Sequence, residues 1–350
     1  MIKYLGSKRR LVPFLGELVA ASGARTVLDL FSGTTRVAQE CKRRGALVTA
    51  VDRTRCAHVL ARCYVETDGS AVDLDEAEAA LAQMAAVPPR EGYVTEVFCR
   101  RARYFRPENG ARIDAVRDAI EERWAGTWLW PVLLTSLLEA ADRVDSTTGV
   151  QMAFLKSWAP RAANPLELRL PALLPGPGRA VRGDAVALAG RLGAFDLAYL
   201  DPPYNQHRYE TNYHVWETLV AWDRPEHYGV ACKRVDSRDP AGRSPFNQRR
   251  TMPGALASVI RDVQADVMVL SCNDEAWVSL DELVAMCDGR GCVEVVGFAS
   301  RRYVGAQIGV HSPAGLKVGR PGRLHNVEYV VVSGSRAAVA RTLGRASIRR

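Results

Sequence analysis

Strand-like and helix-like runs alternate in the N-terminal part of the chain, and this alternation constrains the fold more than any other feature. TVLDLF and ALVTAVD are short apolar runs typical of buried strands, and TTRVAQECKRRG between them has helical spacing. Gly45 supplies the stop signal of that helix. Two strands joined by a helix through short connections lie parallel in one sheet. The pattern therefore predicts an α/β fold built on a parallel sheet.

The middle of the chain departs from this alternation. LDEAEAALAQMAAV, RIDAVRDAIEERW and WLWPVLLTSLLEAADRV are helical runs, and the proline-rich LPALLPGPGRAVRG follows them as a predicted loop. We therefore expect a mostly helical subdomain, residues 57–179, inserted into a catalytic domain formed by residues 1–56 and 180–335. The remaining residues, 336–350, are predicted to be a frayed basic tail.

Alternation resumes after the insertion. FDLAYL, ADVMVLSC, CVEVVGF and VEYVVVS are predicted strands, and YHVWETLVAW is a predicted short helix followed by a long polar loop. A second helix, in SLDELVAMCDGRG, should begin with a capping box formed by Ser279 and Glu282. An earlier helix, in SKRRLVPFLGELVAASG, has Ser7 as its predicted N-cap and Gly23 as its end.

Composition excludes several classes of protein. Hydrophobic residues form 47% and charged residues 25% of the 350 residues, a balance typical of globular proteins with an ample core. No apolar run is long enough for a membrane span, and no secretion signal is recognisable. The eight cysteines contain no CxxC pair and the six histidines lie far apart, so we expect reduced thiols, a cytoplasmic location and no metal site.

The chain is basic, with a formal net charge of +8 and an isoelectric point near 9.2. A basic surface favours polyanions, and nucleic acid is the first candidate. A net charge of this size also occurs in proteins that need it only for solubility, so the charge alone does not establish nucleic-acid binding.

Gly33 and Asp52 indicate a nucleoside site. Gly33 follows the first predicted strand, where a glycine lets a ligand approach the backbone, and Asp52 ends the second strand, where a carboxylate can accept hydrogen bonds from ribose hydroxyls. The loop is not the dinucleotide motif G-x-G-x-x-G, because Thr34, Thr35 and Arg36 follow the glycine, and it lacks the lysine of a P-loop. The predicted ligand is a nucleoside without a pyrophosphate.

The stretch YLDPPYN gives the predicted chemistry. Asp201 follows a buried strand, and Pro202 and Pro203 make a stiff turn whose carbonyl groups stay unpaired. A carboxylate oxygen and a carbonyl oxygen are thereby held close together, with the ring of Tyr204 beside them. Two acceptors and a flat ring suit an exocyclic amine on a heterocycle, such as adenine N6 or cytosine N4.

These motifs together resemble those of the DNA adenine-N6 methyltransferases that use S-adenosylmethionine. DPPY resembles the catalytic motif, KYLGSKRRL the N-terminal cofactor motif, DLFSGTT the family's F-x-G-x-G, RGDA the acid that contacts the cofactor's adenine ring, and LSCND a later motif. Thr35 stands where the family usually has its second glycine. The resemblance covers nearly the whole chain and implies a Rossmann-like methyltransferase sheet with the helical insertion as target-recognition region.

The resemblance also implies the site residues and the reaction. The cofactor-binding residues would be Tyr4, Lys8, Asp29, Phe31, Ser32, Gly33, Thr34, Thr35, Asp52, Asp184 and Asp201. The catalytic residues would be Asp201, Pro202, Pro203 and Tyr204. Double-stranded DNA would be the substrate, with the target base flipped out onto Tyr204, and a cognate restriction endonuclease would be a further partner.

Three alternatives remain open from the sequence: methylation of cytosine N4, methylation of RNA, and a catalytically idle DNA-binding protein with the same fold. Predicted DNA contacts lie in basic segments, where arginines can neutralise phosphates and Tyr104 and Phe105 can wedge between bases or stack on them. The predicted contacts are Arg100, Arg101, Arg103, Lys156, Arg234, Arg249, Arg301 and Arg302. We expect Tyr209, Tyr213 and Trp216 in the core or a pocket wall, and His207, His214 and His227 at the surface or on phosphates.

Overall fold

A computed structural model describes residues 2–6, 8–204, 206, 208–301, 310–311, 317–319 and 325–344. Its strands are β1 (Thr26–Asp29), β2 (Leu47–Asp52), β3 (Gly178–Arg182), β4 (Ala194–Leu200), β5 (His227–Tyr228), β6 (Lys233–Arg234), β7 (Gln264–Asn273), β8 (Cys292–Arg301), β9 (Val310–His311), β10 (Lys317–Gly319) and β11 (His325–Gly334). Its α-helices are α1 (Val12–Ser22), α2 (Arg36–Arg43), α3 (Arg55–Ala61), α4 (Leu74–Ala86), α5 (Pro107–Trp124), α6 (Leu129–Val144), α7 (Ala185–Leu188), α8 (Tyr209–Asn212), α9 (His214–Ala221), α10 (Met252–Asp262), α11 (Leu280–Cys287) and α12 (Arg336–Gly344).

The chain divides into two compact units. The first comprises Met1–Gly16, Arg25–Ala185 and Arg208–Arg243, and the second comprises Glu17–Ala24, Val186–His207 and Ser244–Arg350. Both contain strands that pair in parallel and are connected through helices, as the sequence predicts. The fold is therefore α/β and Rossmann-like.

In the first unit the strands follow the order β3-β2-β1, and both pairings are parallel. Helix α2 connects β1 to β2, and Gly45 after it adopts a positive φ of 86° that glycine favours. The register places Asp52 opposite Arg182. Asp52 and the residues after β3 therefore lie at the same carboxyl edge of the sheet.

The helices between β2 and β3 pack on the first unit's apolar core. This core includes Phe98, Tyr104, Phe105 and Trp216, whose exposed fractions are all at most 1%. Helices α3 and α9 contact each other in this core, as do α5 and α6. The helical runs that the sequence predicts are thus present, and two π-helical segments, Arg62–Glu66 and Val94–Arg101, lie among them.

In the second unit the strands follow the order β4-β7-β11-β8. Strand β4 pairs with β7 in parallel, and β11 pairs in antiparallel fashion with β7 and with β8. Helix α11 begins with the predicted capping box, because Ser279 and Glu282 each accept a hydrogen bond from the other's backbone N–H. In this unit, a polar residue at the end of β7 contacts the turn that follows β4.

Three local predictions are wrong, and one helix was not predicted. The proline-rich stretch after α6 contains strand β3, which pairs with β2, and the long polar loop contains the short β5–β6 pair. Helix α10 follows this loop where the sequence shows too little periodicity to predict it. Residues 336–344 form helix α12 rather than a frayed tail, while residues 345–350 lie outside the described part. Tertiary packing stabilises these elements, and local spacing does not reveal it.

Two further findings concern the cysteines and the length of the helices. All eight cysteines are described and free, and seven of them are buried, Cys292 being half-buried. Within the described part of the chain, every helix is too short or too polar to cross a bilayer.

Candidate active site

The loop after β1 holds Gly33 in a left-handed conformation next to an aromatic ring. Its φ is 48°, and a Cβ atom added there would lie 3.2 Å from Cε1 of Tyr4. The backbone N–H of Gly33 donates a 3.0 Å hydrogen bond to Asp52. Glycine is required here by both its φ and the close approach of Tyr4.

Asp52 connects this loop to the beginning of α3. Its other carboxylate oxygen accepts hydrogen bonds from the backbone N–H and the hydroxyl of Thr54, at 2.9 and 2.8 Å. Burial raises the pKa of Asp52, and these hydrogen bonds partly oppose that shift. A carboxylate has room for about four hydrogen bonds, so one acceptor position is left for a ligand hydroxyl.

Thr35 stands where the family's F-x-G-x-G motif usually has its second glycine, and its backbone conformation shows why glycine suits that position. It is fully buried and adopts a left-handed φ of 61°, a conformation that costs a non-glycine residue about 1–3 kcal/mol. Three hydrogen bonds stabilise it there: its N–H donates to the carbonyl of Ser32, its hydroxyl donates to the carbonyl of Thr34, and the same hydroxyl accepts from the side chain of Gln39. The loop keeps its shape without the glycine.

Three tyrosines stack beside Gly33. The ring of Tyr4 lies 4.6 Å from that of Tyr213 and 5.1 Å from that of Tyr209, centroid to centroid. The hydroxyl of Tyr213 accepts a 2.6 Å hydrogen bond from the backbone N–H of Leu5. Together with Gly33, Thr34, Thr54, Trp216 and Glu217 these rings line a pocket of the first unit. Tyr209, Tyr213 and Trp216 are thus pocket-wall residues, as predicted.

The remaining predicted cofactor residues have different surroundings. Lys8 is buried, and its carbonyl accepts hydrogen bonds from the backbone at the beginning of α1. The carboxylate of Asp29 accepts a hydrogen bond from the N–H of Ala38 in α2, so it supports that helix. Asp184 is half-buried just after β3, where the N–H of Gly183 donates to the carbonyl of Asp52. Phe31 is half-buried in the glycine loop.

Glu217, in α9, is a pocket residue that sequence reasoning missed. Its buried carboxylate accepts hydrogen bonds from the backbone N–H groups of Arg55 and Cys56, at 3.1 and 2.8 Å. Burial raises the pKa of Glu217 to about 6. The only sequence signal was an acidic residue in an otherwise apolar helix.

Glu217→Gln should change the pH dependence of stability. The protonated side chain contributes stability below its ordinary pKa of 4.5, and this contribution is lost as pH rises through about 6. The shift corresponds to about 2 kcal/mol, which the wild type should lose over this window relative to the variant. Urea unfolding across the window measures the difference, with Glu78→Gln at an exposed position of α4 as control; parallel profiles for wild type and Glu217→Gln would contradict the assignment.

The turn after β4 carries the predicted catalytic residues in the second unit. Asp201, Pro203 and Tyr204 are half-buried and Pro202 is buried. Tyr204 is fixed at two points, because its hydroxyl accepts a 3.0 Å hydrogen bond from the side-chain amide of Asn273 and its carbonyl accepts one from the N–H of Trp277. The ring is therefore held in place before any base binds.

Asn273 gives the LSCND segment a definite role. It is the last residue of β7, and it also accepts a 3.0 Å hydrogen bond from the N–H of Glu275 through its side-chain oxygen. Its amide is thereby oriented with the N–H₂ group toward Tyr204. The sequence indicates a polar strand end here but not its partner.

The predicted DNA contacts of the insertion fall into two groups. Arg100 and Arg101 are exposed and form ion pairs with Glu91 and Glu96. Arg103 donates to the carbonyl of Lys156 and lies 5.7 Å from the ring of Phe154, while Arg106 lies 5.7 Å from the ring of Trp158. The structure thus joins the two basic and aromatic segments, and Lys156 is exposed at their junction.

Several predicted surface roles need correction. Arg234 is only 4% exposed and forms ion pairs with Asp223 and Asp236, so its charge is already neutralised within the protein. Tyr104 and Phe105 are core residues and cannot wedge between bases. His214 is fully buried, and burial lowers its pKa to about 3.

The other predicted positions are exposed or lie outside the described residues. Arg249 is exposed, and His227 is half-buried in β5. Arg302 and His207 lie outside the described residues, as does the side chain of Arg301. In the described part of the chain, no group of three or more histidine, cysteine, aspartate or glutamate residues could hold a metal ion.

A Rossmann-like fold, a glycine loop with an acidic strand end and a DPPY turn are features that together indicate the class of methyltransferases. The model of the D12 class N6 adenine-specific DNA methyltransferase family matches residues 4–249. The chain belongs to this family, and its reaction is the methylation of adenine in DNA.

Curated relatives agree with this assignment. The chain is 31% identical to the type II methyltransferase M.NlaIII of Neisseria lactamica, over 86% of this chain and 92% of the relative. It is 26% identical to the type II methyltransferase M.CviAII of Paramecium bursaria Chlorella virus 1, with the same two coverages. The modification methylase LlaI of Lactococcus lactis is 27% identical, but the chain spans only 51% of its length.

Proposed function

We propose that the chain transfers a methyl group from S-adenosylmethionine to the N6 amine of adenine within a specific duplex DNA sequence, after flipping the base out of the helix. The observation that carries the proposal is the turn after β4, where an acidic side chain, a proline carbonyl and a fixed tyrosine ring follow one another. A base can reach such a turn only outside the duplex.

We assign the cofactor to the loop and pocket beside Gly33. The pocket wall contains the aromatic rings of Tyr4, Tyr209 and Tyr213, which suit a flat heterocycle, and Asp52 lies next to it on the N–H of Gly33, where a carboxylate suits ribose hydroxyls. Asp52 would hold a ribose hydroxyl and Asp184 the adenine amine. When bound, S-adenosylmethionine supplies an activated methyl group.

The catalytic turn would prepare the amine for transfer. Tyr204 would stack on the flipped adenine, and Asp201 and the carbonyl of Pro202 would accept the two N6 hydrogens. Both hydrogen bonds draw the nitrogen lone pair out of conjugation with the ring and orient it, so positioning and electrostatics carry the rate enhancement. Asp201 would also accept the proton that leaves the amine.

Transfer of tritium from S-adenosylmethionine to duplex DNA, followed by nucleoside analysis, tests the proposal. We expect label in N6-methyladenine, and sequencing-based methylation mapping of genomic DNA from a host expressing the chain should return a single sequence motif. Label in N4-methylcytosine, or in RNA with DNA unlabelled, would overturn it. The cognate restriction endonuclease and the cytoplasmic location remain predictions.

Substitutions of Tyr204 should separate stacking from hydrogen bonding. Tyr204→Phe keeps the ring and loses the hydrogen bond from Asn273 to the hydroxyl, so transfer should fall by about tenfold at most. Tyr204→Ala removes the stacking surface, worth about 1–3 kcal/mol per base, and should cost about tenfold to hundredfold in kcat/KM. Steady-state kinetics of the two variants measure both losses. Equal losses of kcat/KM in Tyr204→Phe and Tyr204→Ala would show that stacking does not contribute to the mechanism.

A further inference from the structure

A second pocket of the first unit is lined by arginines that none of the roles above uses. It has a volume of about 260 Å³, and Arg53, Arg55, Arg182 and Arg208 surround it. They come from separate parts of the sequence: two from the beginning of α3 and the residues before it, one from the end of β3, and one from the residues before α8. Folding thus assembles this charge from positions that show no basic run.

Two of these arginines are held in place by backbone carbonyls. Arg53 donates a 2.7 Å hydrogen bond to the carbonyl of Gly242 and forms an ion pair with Glu210, at 3.1 Å. Arg208 donates a 2.6 Å hydrogen bond to the carbonyl of Ser237. Both guanidinium groups are therefore oriented in advance, which lowers the entropic cost of binding a ligand.

The other two arginines, Arg55 and Arg182, contribute further positive charge to the pocket. Arg55 is half-buried and Arg182 is exposed, and neither forms an ion pair with any residue in the described ranges. The acidic residues of the pocket already have partners: Glu210 pairs with Arg53, Asp236 pairs with Arg234, which also lines the pocket, and Glu217 accepts from backbone N–H groups and lies within electrostatic reach of Arg55. Arg182 and Arg208, which have no carboxylate partner in the described ranges, keep the pocket positively charged.

The lining indicates an anion rather than a neutral base. Besides the charged residues, this pocket is lined by Thr54, Ser237 and Gly242, without an aromatic ring or a long aliphatic side chain among the described residues. Guanidinium groups with preset directions match the oxygens of a phosphate. S-adenosylmethionine has no phosphate, and its single carboxylate is outweighed by an ammonium and a sulfonium group, so a ligand that is a net cation does not account for this charge.

We infer that this pocket binds a backbone phosphate of the DNA strand. The inference rests on the proposed function, because it takes DNA as the substrate. The fixed Arg53 and Arg208 form the walls, and Arg55 and Arg182 contribute the charge that the phosphate neutralises. These four residues position the substrate and take no part in the transfer step.

The salt dependence of DNA binding tests the inference. Replacing both Arg55 and Arg182 with Gln should reduce the magnitude of the slope of log K against log salt by about 0.9, the value for the one phosphate contact that the pocket makes on duplex DNA, and Arg55→Gln or Arg182→Gln alone should reduce it by no more than this. Arg179→Gln, an exposed arginine of the same strand outside the pocket, is the matched control and should leave the slope unchanged. A short duplex DNA is the probe, and fluorescence anisotropy over a salt series gives the slopes.

A second arm locates the phosphate. Duplexes that carry one neutral methylphosphonate, placed in turn at each position around the methylated adenine, should show one position where wild type and Arg182→Gln bind equally well. Free inorganic phosphate should compete weakly with the duplex in the wild type and less in the variant.

The outcomes separate this inference from the proposed function. If wild type methylates DNA but Arg55→Gln and Arg182→Gln keep the slope of Arg179→Gln, the phosphate site is wrong and the function stands. If both variants instead lose affinity for S-adenosylmethionine with unchanged DNA binding, the pocket belongs to the cofactor. Failure of the wild type to bind and methylate DNA would overturn both.

Discussion

Asp201→Ala is expected to lower methyl transfer by at least about 10²–10³-fold, because loss of one preorganised hydrogen-bonding group in an active site has this effect. The carboxylate is an acceptor for the target amine and for its proton, and no neighbouring group in the turn replaces it. Affinity for the cofactor should stay largely intact, since we assign the cofactor's nucleoside to the pocket beside Gly33. Single-turnover transfer from S-adenosylmethionine measures the chemical step directly.

Asp201→Asn refines this experiment. The amide keeps the shape and one acceptor oxygen but cannot take a proton, so a loss close to that of Asp201→Ala would assign a proton-accepting role to the carboxylate. Asp196→Asn, in the same strand β4, removes an equal charge away from the turn and serves as control. Full activity of either Asp201 variant would remove this residue from the mechanism.

Asp52→Asn should weaken binding of the cofactor by about tenfold to hundredfold. Hydrogen bonds to a charged group are worth about 1.5–3 kcal/mol, and the substitution also turns a donor toward the N–H of Gly33, whose hydrogen bond to Asp52 shapes the loop. Calorimetric titration with S-adenosylhomocysteine gives the dissociation constants without turnover. Binding of DNA should change much less.

Asp73→Asn is the matched control for this variant. Asp73 also accepts two backbone N–H hydrogen bonds at the beginning of a helix of the first unit, but away from the pocket. Thermal unfolding of both variants separates loss of fold from loss of binding. An Asp52→Asn protein with the wild-type dissociation constant would refute the ribose assignment.

The parts of the molecule that depend on local spacing could be predicted from the sequence. Strands β1, β2, β4 and β7 and the helix between β1 and β2 follow from short apolar runs and stop signals, and the DPPY turn follows from proline's fixed φ. The capping box of α11 is equally local. Each of these features depends on residues only a few positions apart.

Other features depend on partners far apart in the chain. Arg234 belongs to a basic loop by sequence, yet two carboxylates bury its charge, and Tyr104 lies beside arginines but packs into the core. Strand β3 exists because β2 offers it a parallel edge, which a proline-rich stretch does not reveal. The pocket lined by Arg53, Arg55, Arg182 and Arg208 is the clearest case, because its arginines come together only after folding.

The buried thiols make the stability of each unit separately measurable. Cys41, Cys56, Cys63, Cys99 and Cys232 belong to the first unit, and Cys272, Cys287 and Cys292 to the second. Burial raises the pKa of Cys63 to about 12 and that of Cys287 above its ordinary value, so neither reacts as a thiolate in the folded chain. Pulsed alkylation followed by peptide mass spectrometry would therefore record when each unit opens, and whether cofactor or DNA slows that opening.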